Sequence, residues 1–423
     1  MPALLAGTLL VFYVPEALAE TLHVKTSTSS RFVKIQDAID FAKDSDVILV
    51  GSGTFTENID LLGKAVVIRS EFGAQATTID GGKKGAVVRC ASGERETSVI
   101  DGFTLTNGRG DIDFSARRGG GIFCVGSTPT IRNCWIVNNH TEGDRAWGGA
   151  VYLTESGPGT LILEGNVIAD NSSYRVGGGL CLLGDAIVRN NKILRNSSLN
   201  GDGGGIYSPV GNIVLEENLI EGNVARDRAG GAYFLRPGPR QGAVTIFRNI
   251  IVSNTASTLF GEECGGGGLW LFGGTIEVRE NTIAYNRATA ANAFGGGGIC
   301  VNEVRDPIVI ERNIIYRNQE GGVDCWHCEQ RQPILRRNIL YANGVDEVLS
   351  EGSGVFDASE NLFVDPMFCE LPDNDFGSVA GASPALNQPY GTIGAVETPG
   401  CGPFIAVSVE ETTWGGIKKL LSR

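Results

Sequence analysis

The chain has 423 residues, of which 60 are glycine, and carries a formal net charge of −13 at pH 7. This acidic balance and the lack of a basic patch argue against a nucleic-acid partner. Glycine is about twice as frequent as in an average domain, but it is clustered at regular intervals, so the composition does not indicate disorder.

Residues 1–19 are an apolar run that ends in Ala17, Leu18 and Ala19. This pattern predicts a secretory signal cleaved after Ala19, with a buried strand or a membrane anchor as the alternative. The run is too short for a membrane span. The mature chain is therefore expected to have no transmembrane span and to be secreted, periplasmic or at the cell surface.

Residues 20–45 are predicted to contain a strand and then a helix. Ile35, Ala38, Ile39 and Ala42 fall on one face at helical spacing. The open end of a solenoid exposes apolar side chains and unpaired backbone groups, so we interpret this helix as an N-terminal cap.

Residues 46–363 contain a repeat. In eight places an Ile or Leu is followed three residues later by Asn, and in seven of them another Asn stands two residues before the Ile or Leu. We call these the opening and closing Asn; the pairs are Asn166/Asn171, Asn191/Asn196, Asn218/Asn223, Asn249/Asn254, Asn281/Asn286, Asn313/Asn318 and Asn338/Asn343, and Cys134/Asn139 is the eighth. The closing Asn residues recur every 25 to 32 residues, which indicates a solenoid.

Three short strands per repeat are predicted. Residues five and three before the opening Asn are apolar, as in Ile276 and Val278, which indicates a strand with one buried face. The Ile or Leu between the two Asn residues begins a second inward row, and a glycine cluster such as GGGIY at 203–207 precedes a third strand. We expect about ten to twelve coils, with the opening Asn in a left-handed backbone conformation and stacked as an amide ladder.

This arrangement resembles the right-handed parallel β-helix of the pectate-lyase-like superfamily, in which a short Asn corner separates the second and third strands. The GGA and IxxN patterns are also similar to repeats of polymorphic outer-membrane proteins. The resemblance covers roughly residues 100–345 and implies an all-β fold, a single three-sheet solenoid with an N-terminal capping helix, but no particular activity.

The C-terminal part resembles the terminal segment of secreted bacterial β-helix proteins through DPMF at 365–368, GASPAL at 381–386 and TIGAVE at 392–397. We predict a C-terminal cap over 364–403 and a tail over 404–423. In an exported chain Cys369 and Cys401 are expected to pair and close the cap.

The sequence CWHC at 325–328 has the spacing of a redox or zinc motif. A structural zinc site needs four ligands, and the chain has 3 His and no second CxxC. We therefore predict a local disulfide between Cys325 and Cys328, or two thiols within a turn, rather than a redox or zinc site. No metal or other cofactor is expected.

The glycine strand is predicted to carry aromatic side chains on its outer face. The row consists of Phe123, Tyr152, Tyr207, Phe234 and Trp270, with Cys181 and Cys300 in the same position. One interpretation is a carbohydrate-binding surface, because strands about 4.8 Å apart match the length of a sugar unit; the other is a second core covered by the loops. The loops would supply a polar rim that includes Arg117, Arg118, Asp144, Arg145, Trp147, Tyr174, Arg175, Glu262 and Glu263.

Enzymes of the resembled superfamily place catalytic carboxylates on this sheet and its loops, and their signatures are absent from the glycine strands. Asp202, Asp227 and Arg228, on the loops of neighbouring coils, are the remaining catalytic candidates. We predict a monomeric, non-catalytic module that binds an extracellular polysaccharide or mediates adhesion. The alternatives are a polysaccharide lyase, hydrolase or epimerase with an atypical site, and a structural spacer.

Overall fold

The computed structural model describes residues 19–27, 29–154, 159–236, 238, 241–257, 265–289, 295–328, 331–344, 347–350, 356–368, 378–379, 383–386, 388–389, 392–395 and 398–399. It is a β-solenoid with three long parallel sheets, as predicted. Most of the predicted signal, the predicted tail, Glu262, Glu263, Cys369 and Cys401 lie outside the described residues.

The three sheets are named for their position in each coil. The glycine sheet has 11 strands: Ile59–Asp60, Val88–Cys90, Ile122–Val125, Val151–Thr154, Leu180–Leu183, Ile206–Val210, Ala232–Arg236, Leu269–Gly273, Ile299–Asn302, Val323–Trp326 and Val348–Ser350. The long sheet, before the opening Asn, has 13: Thr21–Val24, Val47–Val50, Val67–Ser70, Val99–Asp101, Thr130–Arg132, Leu161–Glu164, Ala186–Arg189, Ile213–Glu216, Val244–Phe247, Ile276–Arg279, Ile308–Glu311, Ile334–Arg336 and Asp357–Ser359. The third sheet, between the two Asn residues, has 11: Gly53–Phe55, Thr77–Asp80, Thr104–Thr106, Trp135–Val137, Val167–Ala169, Lys192–Leu194, Leu219–Glu221, Ile250–Val252, Thr282–Ala284, Ile314–Tyr316 and Ile339–Tyr341.

A short fourth sheet follows the closing Asn residues and was not predicted. Its six two-residue strands are His140–Thr141, Ser172–Ser173, Ser197–Ser198, Val224–Ala225, Thr255–Ala256 and Arg287–Ala288. Two further pairs complete the described strands: the antiparallel hairpin Asp111–Asp113 with Ala116–Arg118, and the parallel pair Ser378–Val379 with Thr398–Pro399.

One continuous apolar core fills the solenoid. The predicted inward residues lie in it, as the rows through Ile276 and Val278 of the long sheet and Ile283 of the third sheet illustrate. Side chains alternate between the two faces of a strand, so each coil contributes its inward residues to the same stack, and stacking the coils buries a face that one coil could not bury alone.

The opening and closing Asn residues form two amide ladders along the solenoid. One runs through Asn166, Asn191, Asn218, Asn249, Asn281, Asn313, Asn338 and Asn361, and the other through Asn139, Asn171, Asn196, Asn223, Asn254, Asn286, Asn318 and Asn343. In each step a side-chain Nδ2 donates to the Oδ1 of the next Asn, for example from Asn223 to Asn254 at 2.9 Å. The predicted ladder is confirmed, and a second one accompanies it.

The left-handed residue of each corner is not the ladder Asn, contrary to the expectation. It is the residue before it, for example Arg248 with φ 53° and Glu280 with φ 55°. The Asn itself must point its amide inward between the coils, so the turn is made one residue earlier. Arg, Glu, Ser and Tyr all occupy this position, at a cost that the buried amide bonds of the next residue offset.

Charged residues next to the opening Asn pair between coils. The Nε atom of Arg189 lies 3.1 Å from Oε1 of Glu164. The carboxylate of Glu311, only 5% exposed, is contacted by Arg279 at 3.0 Å and by Arg336 at 3.1 Å. Such pairs favour one register of the long sheet, because a slip would place like charges opposite each other.

The N-terminal helix, Ile35–Phe41, packs on the first coils and buries Ile35, Ala38 and Ile39. Both of its ends are held by charged side chains of the solenoid. The carboxylate of Glu57 accepts bonds from the backbone N–H groups of Ile35 at 2.9 Å and Gln36 at 3.0 Å. The Lys64 ammonium donates to the carbonyl oxygens of Ile39, Asp40 and Ala42 at the other end, so the signs match the helix dipole.

The described C-terminal segments lie along the side of the solenoid. Val379, Ala385 and Ile393 pack on outward residues of the third sheet, including Ala284 and Ile314. The backbone N–H of Ala395 donates to Oγ1 of Thr282 at 3.2 Å, across 113 residues of sequence. This part of the predicted C-terminal cap therefore covers one flank of the third sheet.

Candidate functional site

The outer face of the glycine sheet carries the predicted ring row. One register row crosses the adjacent strands of this sheet. Its members in order are Phe123, Tyr152, Cys181, Tyr207, Tyr233 and Trp270. The ring centroids of Phe123 and Tyr152 are 5.9 Å apart, those of Tyr207 and Tyr233 5.1 Å, and those of Tyr233 and Trp270 4.4 Å. Cys181 thus separates two groups of stacked rings.

The prediction that Phe234 belongs to this row is wrong. Phe234 lies in the solenoid core, and Tyr233 takes the outward position. Ala232 is aligned with Ile206 as an inward residue, so the strand begins one residue earlier than the glycine cluster suggested. Because side chains alternate along a strand, a shift of one residue exchanges the two faces.

The glycine clusters are needed for close approach between backbone segments and do not leave the sheet surface open. Gly203 has φ 65°, and a Cβ on it would meet the carbonyl oxygen of Ile206 at 2.4 Å. A Cβ on Gly204 would meet the backbone of Val224, in the short sheet, at 2.5 Å. The strand can therefore enter the sheet only with residues that lack or nearly lack a side chain.

The ring row is largely covered. Phe123 is 3% exposed, Tyr152 0% and Trp270 1%, whereas Tyr207 is half-buried. Of the two interpretations that the sequence left open, this burial fits a second core beneath the loops for the inner rings. Direct ligand contact by these rings stays a prediction.

A continuous stack of four rings reaches the surface at both ends. It runs from Tyr207 through Tyr233 and Trp270 to Phe272, with a centroid distance of 5.8 Å in the last step. The two inner rings are buried, and the two end rings are half-buried. Phe272 and Tyr233 were missed in the sequence; Phe272 lies two residues after Trp270, so the alternation along that strand was a usable signal.

The three catalytic candidates come together over this stack. Nε of Arg228 lies 3.1 Å from Oδ1 of Asp202 and 3.8 Å from Oδ2 of Asp227. The guanidinium carbon lies 5.1 Å from the Trp270 ring centroid. Burial works against the charge of Arg228, but the two carboxylates outweigh it and raise the pKa of the guanidinium. The cluster thus holds an arginine over aromatic rings, a favourable cation–π arrangement.

A second arginine covers the other ring group. Arg118 lies over the rings of Trp147 and Tyr152, donates to the Tyr152 hydroxyl and pairs with Asp113 at 2.6 Å. Burial raises the pKa of Tyr152 to about 12, so the phenol is neutral and serves as a hydrogen-bond acceptor. The loop residues predicted as a rim thus act in part as a cover.

Cys325 and Cys328 form a disulfide, with their Cα atoms 6.0 Å apart. Among the described residues no group of three or more His, Cys, Asp or Glu side chains could hold a metal ion. The described part of the chain also contains no helix that is long and apolar enough to span a membrane.

The family model described as "Right handed beta helix region" matches residues 69–261 and 240–376. These ranges include more than half of the chain, which therefore belongs to this right-handed β-helix family.

Two individual proteins are similar. A cell surface glycoprotein of Methanothermus fervidus is 28% identical in an alignment 297 residues long that covers 59% of this chain and 48% of that protein. The chain thus spans about half the length of this relative. Among solved structures, the A-module of the mannuronan C-5 epimerase AlgE6 of Azotobacter vinelandii matches with a TM-score of 0.43 and 15% identity, over 78% of this chain and 94% of that chain.

Proposed function

We propose that this right-handed β-helix protein is a non-catalytic surface or extracellular module that binds a carbohydrate chain along the outer face of the glycine sheet. The observation that carries the proposal is the four-ring stack from Tyr207 to Phe272. Its buried centre, Tyr233 and Trp270, holds the two half-buried end rings in fixed positions. Rigid rings at a surface give contact area at little cost in conformational entropy.

Polar groups flank the rings at fixed positions. Arg228 is held by Asp202 at one place, and Arg305, which lies over the Phe272 ring, is held by Glu303 at another. An apolar surface with a few oriented donors and acceptors is the usual chemistry of a small-molecule site. Sugars match it, because they combine an apolar C–H face with hydroxyl groups.

Ion pairing of the carboxylates favours binding over catalysis. Hydrolysis of a glycosidic bond needs two carboxyl groups placed on either side of the substrate. Both Asp202 and Asp227 instead face one guanidinium. The proposed surface location is supported by the similarity to a cell surface glycoprotein.

A glycan array tests the proposal. We expect the full chain to retain a subset of oligosaccharides, and Tyr207→Ala and Phe272→Ala to weaken that binding by about 1 to 3 kcal/mol, by analogy with base stacking on aromatic side chains. Tyr285→Ala removes a ring that is 37% exposed at the closing-Asn corner and serves as the matched control. Equal loss in all three variants, or no retained glycan, would contradict the proposal.

The enzyme alternative is tested on the same sample. Polysaccharides incubated with the chain are assayed for new reducing ends, for unsaturated products and for changed uronate stereochemistry. Any of these activities that disappears in Asp202→Asn would replace the binding proposal by the catalytic one.

A further inference from the structure

A hairpin beside the ring row exposes two large apolar side chains. Its strands, Asp111–Asp113 and Ala116–Arg118, pair antiparallel. Ile112 is 69% exposed and Phe114 is 84% exposed, the two highest values among the large apolar residues that the structure describes. Neither side chain contributes to the core in this position.

The turn places Phe114 in an unfavourable backbone conformation. Phe114 has φ 44° and Ser115 has φ 66°, so both central residues of the two-residue turn are left-handed. Such turns strongly prefer Asn-Gly or related pairs, and a bulky residue there is an outlier. Strain of this kind is concentrated at binding sites and switch regions, and burial does not compensate for it here.

A cleft of about 450 Å³ lies between this hairpin and the loop at 142–145. Its walls include Phe114, Arg117, Glu142, Asp144 and Arg145. The volume lies in the range of small-ligand sites. In the described part of the chain, Asp144 and Arg145 make no ion pair with each other or with another residue.

The lining specifies the chemistry of a ligand. Two arginines and two carboxylates line the walls, and Glu142 also pairs with Arg109. The lining therefore carries at most a small net charge and gives little preference for a charged ligand. The arginines and carboxylates supply both donors and acceptors, and the Phe114 ring supplies an exposed apolar face. A neutral sugar meets these conditions with its C–H face and its vicinal hydroxyl groups.

We propose that this cleft binds the end of a neutral oligosaccharide, with Phe114 stacked on the terminal sugar. This inference rests on the proposed carbohydrate-binding function and names a second site for it. The hairpin is connected to the ring row through Arg118, which bonds to Tyr152, and through Asp111, which pairs with Arg89 at 2.8 Å. The ring of Phe123 lies under that Arg89.

The test uses neutral trisaccharides of glucose, mannose and N-acetylglucosamine, with trigalacturonate as a charged comparison. Binding to the full chain is measured by isothermal titration calorimetry and by saturation-transfer NMR. Phe114→Asn removes the ring but keeps a residue that tolerates left-handed φ, so the hairpin is expected to persist. We expect at least a tenfold loss of affinity for one neutral trisaccharide and an unchanged or higher unfolding temperature.

Two controls make the result specific. Phe72→Asn removes a ring that is 62% exposed elsewhere and should leave the affinity unchanged. Phe114→Tyr keeps the ring and should bind as the original chain does. Phe114→Gly, which also adopts left-handed φ readily, replaces Phe114→Asn if that variant fails to fold.

The outcomes separate the two proposals. Loss of binding in Phe114→Asn, with Phe72→Asn and Phe114→Tyr unchanged, supports the cleft. Loss only in Tyr207→Ala and Phe272→Ala overturns the cleft and leaves the proposed function intact. A preference for trigalacturonate overturns the neutral ligand, and no carbohydrate binding by the full chain overturns both proposals.

Discussion

The side chain of Asn249 donates from Nδ2 to Oδ1 of Asn281, its counterpart one coil later, at 3.0 Å. The same Oδ1 accepts the backbone N–H of Asn249 at 2.8 Å, and Nδ2 also donates to the carbonyl oxygen of Leu215 in the preceding coil at 2.8 Å. One buried amide therefore connects three consecutive coils.

Replacing Asn249 by Ala should lower the free energy of unfolding by about 1 to 3 kcal/mol, because buried acceptors on both neighbouring coils lose a donor. Urea denaturation measures the change. The control Lys192→Ala, at an exposed position of the third sheet, should stay within about 0.5 kcal/mol. An Asn249→Ala chain as stable as the control would show that the ladder adds little to stability.

Trp270 lies in the covered part of the ring stack, 1% exposed and parallel to Tyr233. Trp270→Ala should therefore cost about 3 to 5 kcal/mol of stability, as for other buried aromatic residues. Tyr207→Ala should cost less, since its ring is only half-buried. Urea unfolding measures the stability of both variants. Equally small losses of stability would mean that the Trp270 ring is not buried beneath the loops in solution.

The carboxylate of Asp46 fastens the N-terminal strand and helix. It accepts the backbone N–H groups of Glu20 at 2.7 Å and Lys43 at 2.8 Å, and these bonds lower the pKa of Asp46. A carboxylate whose pKa is lowered in the folded state stabilises the fold at pH values above the ordinary Asp pKa near 4. That contribution is lost as the pH falls through the folded-state pKa.

Asp46→Asn should accordingly be less stable than the original chain at neutral pH, and the difference should stay constant down to about pH 5 and shrink as the pH falls through the ordinary Asp value near 4 and below. Thermal unfolding across this pH range provides the measurement, with Asp357→Asn, an exposed residue of the last long-sheet strand, as control. A constant difference at all pH values would contradict the assigned role.

The core residues could be predicted from the repeat. Inward side chains alternate along each strand, and each lies at a fixed number of residues from the ladder Asn. The residue before each ladder Asn could not be identified, since Arg248, Glu280 and Tyr285 share only their backbone conformation. Phe234 was misplaced because Ala232 counts as a small residue in the cluster but fills a core position. Composition alone does not distinguish these cases.

The sequence could not predict whether the outer ring row is buried, for a different reason. The cover over Trp270 depends on the pairing of Arg228 with Asp202, 26 residues earlier, and such a pair is found only when the coil register is known. The hairpin at Phe114 was equally hidden, because its turn lacks the Asn-Gly pair that marks two-residue turns in sequences.

Four thiols, those of Cys90, Cys124, Cys134 and Cys181, are free and buried. A hydrogen bond with Cys124 and burial raise the pKa of Cys90, and burial raises that of Cys134 to about 12.

Because the thiolate is the reactive form, iodoacetamide at pH 8 should modify none of these four in the folded chain and all four after unfolding in urea without reductant. Peptide mass spectrometry gives the extent of labelling at each site. Rapid labelling of Cys181 in the folded chain would show that the cover over the outer face of the glycine sheet opens. Cys90 and Cys124 are neighbours on adjacent strands. If neither reacts even after unfolding, the two are linked to each other by a disulfide.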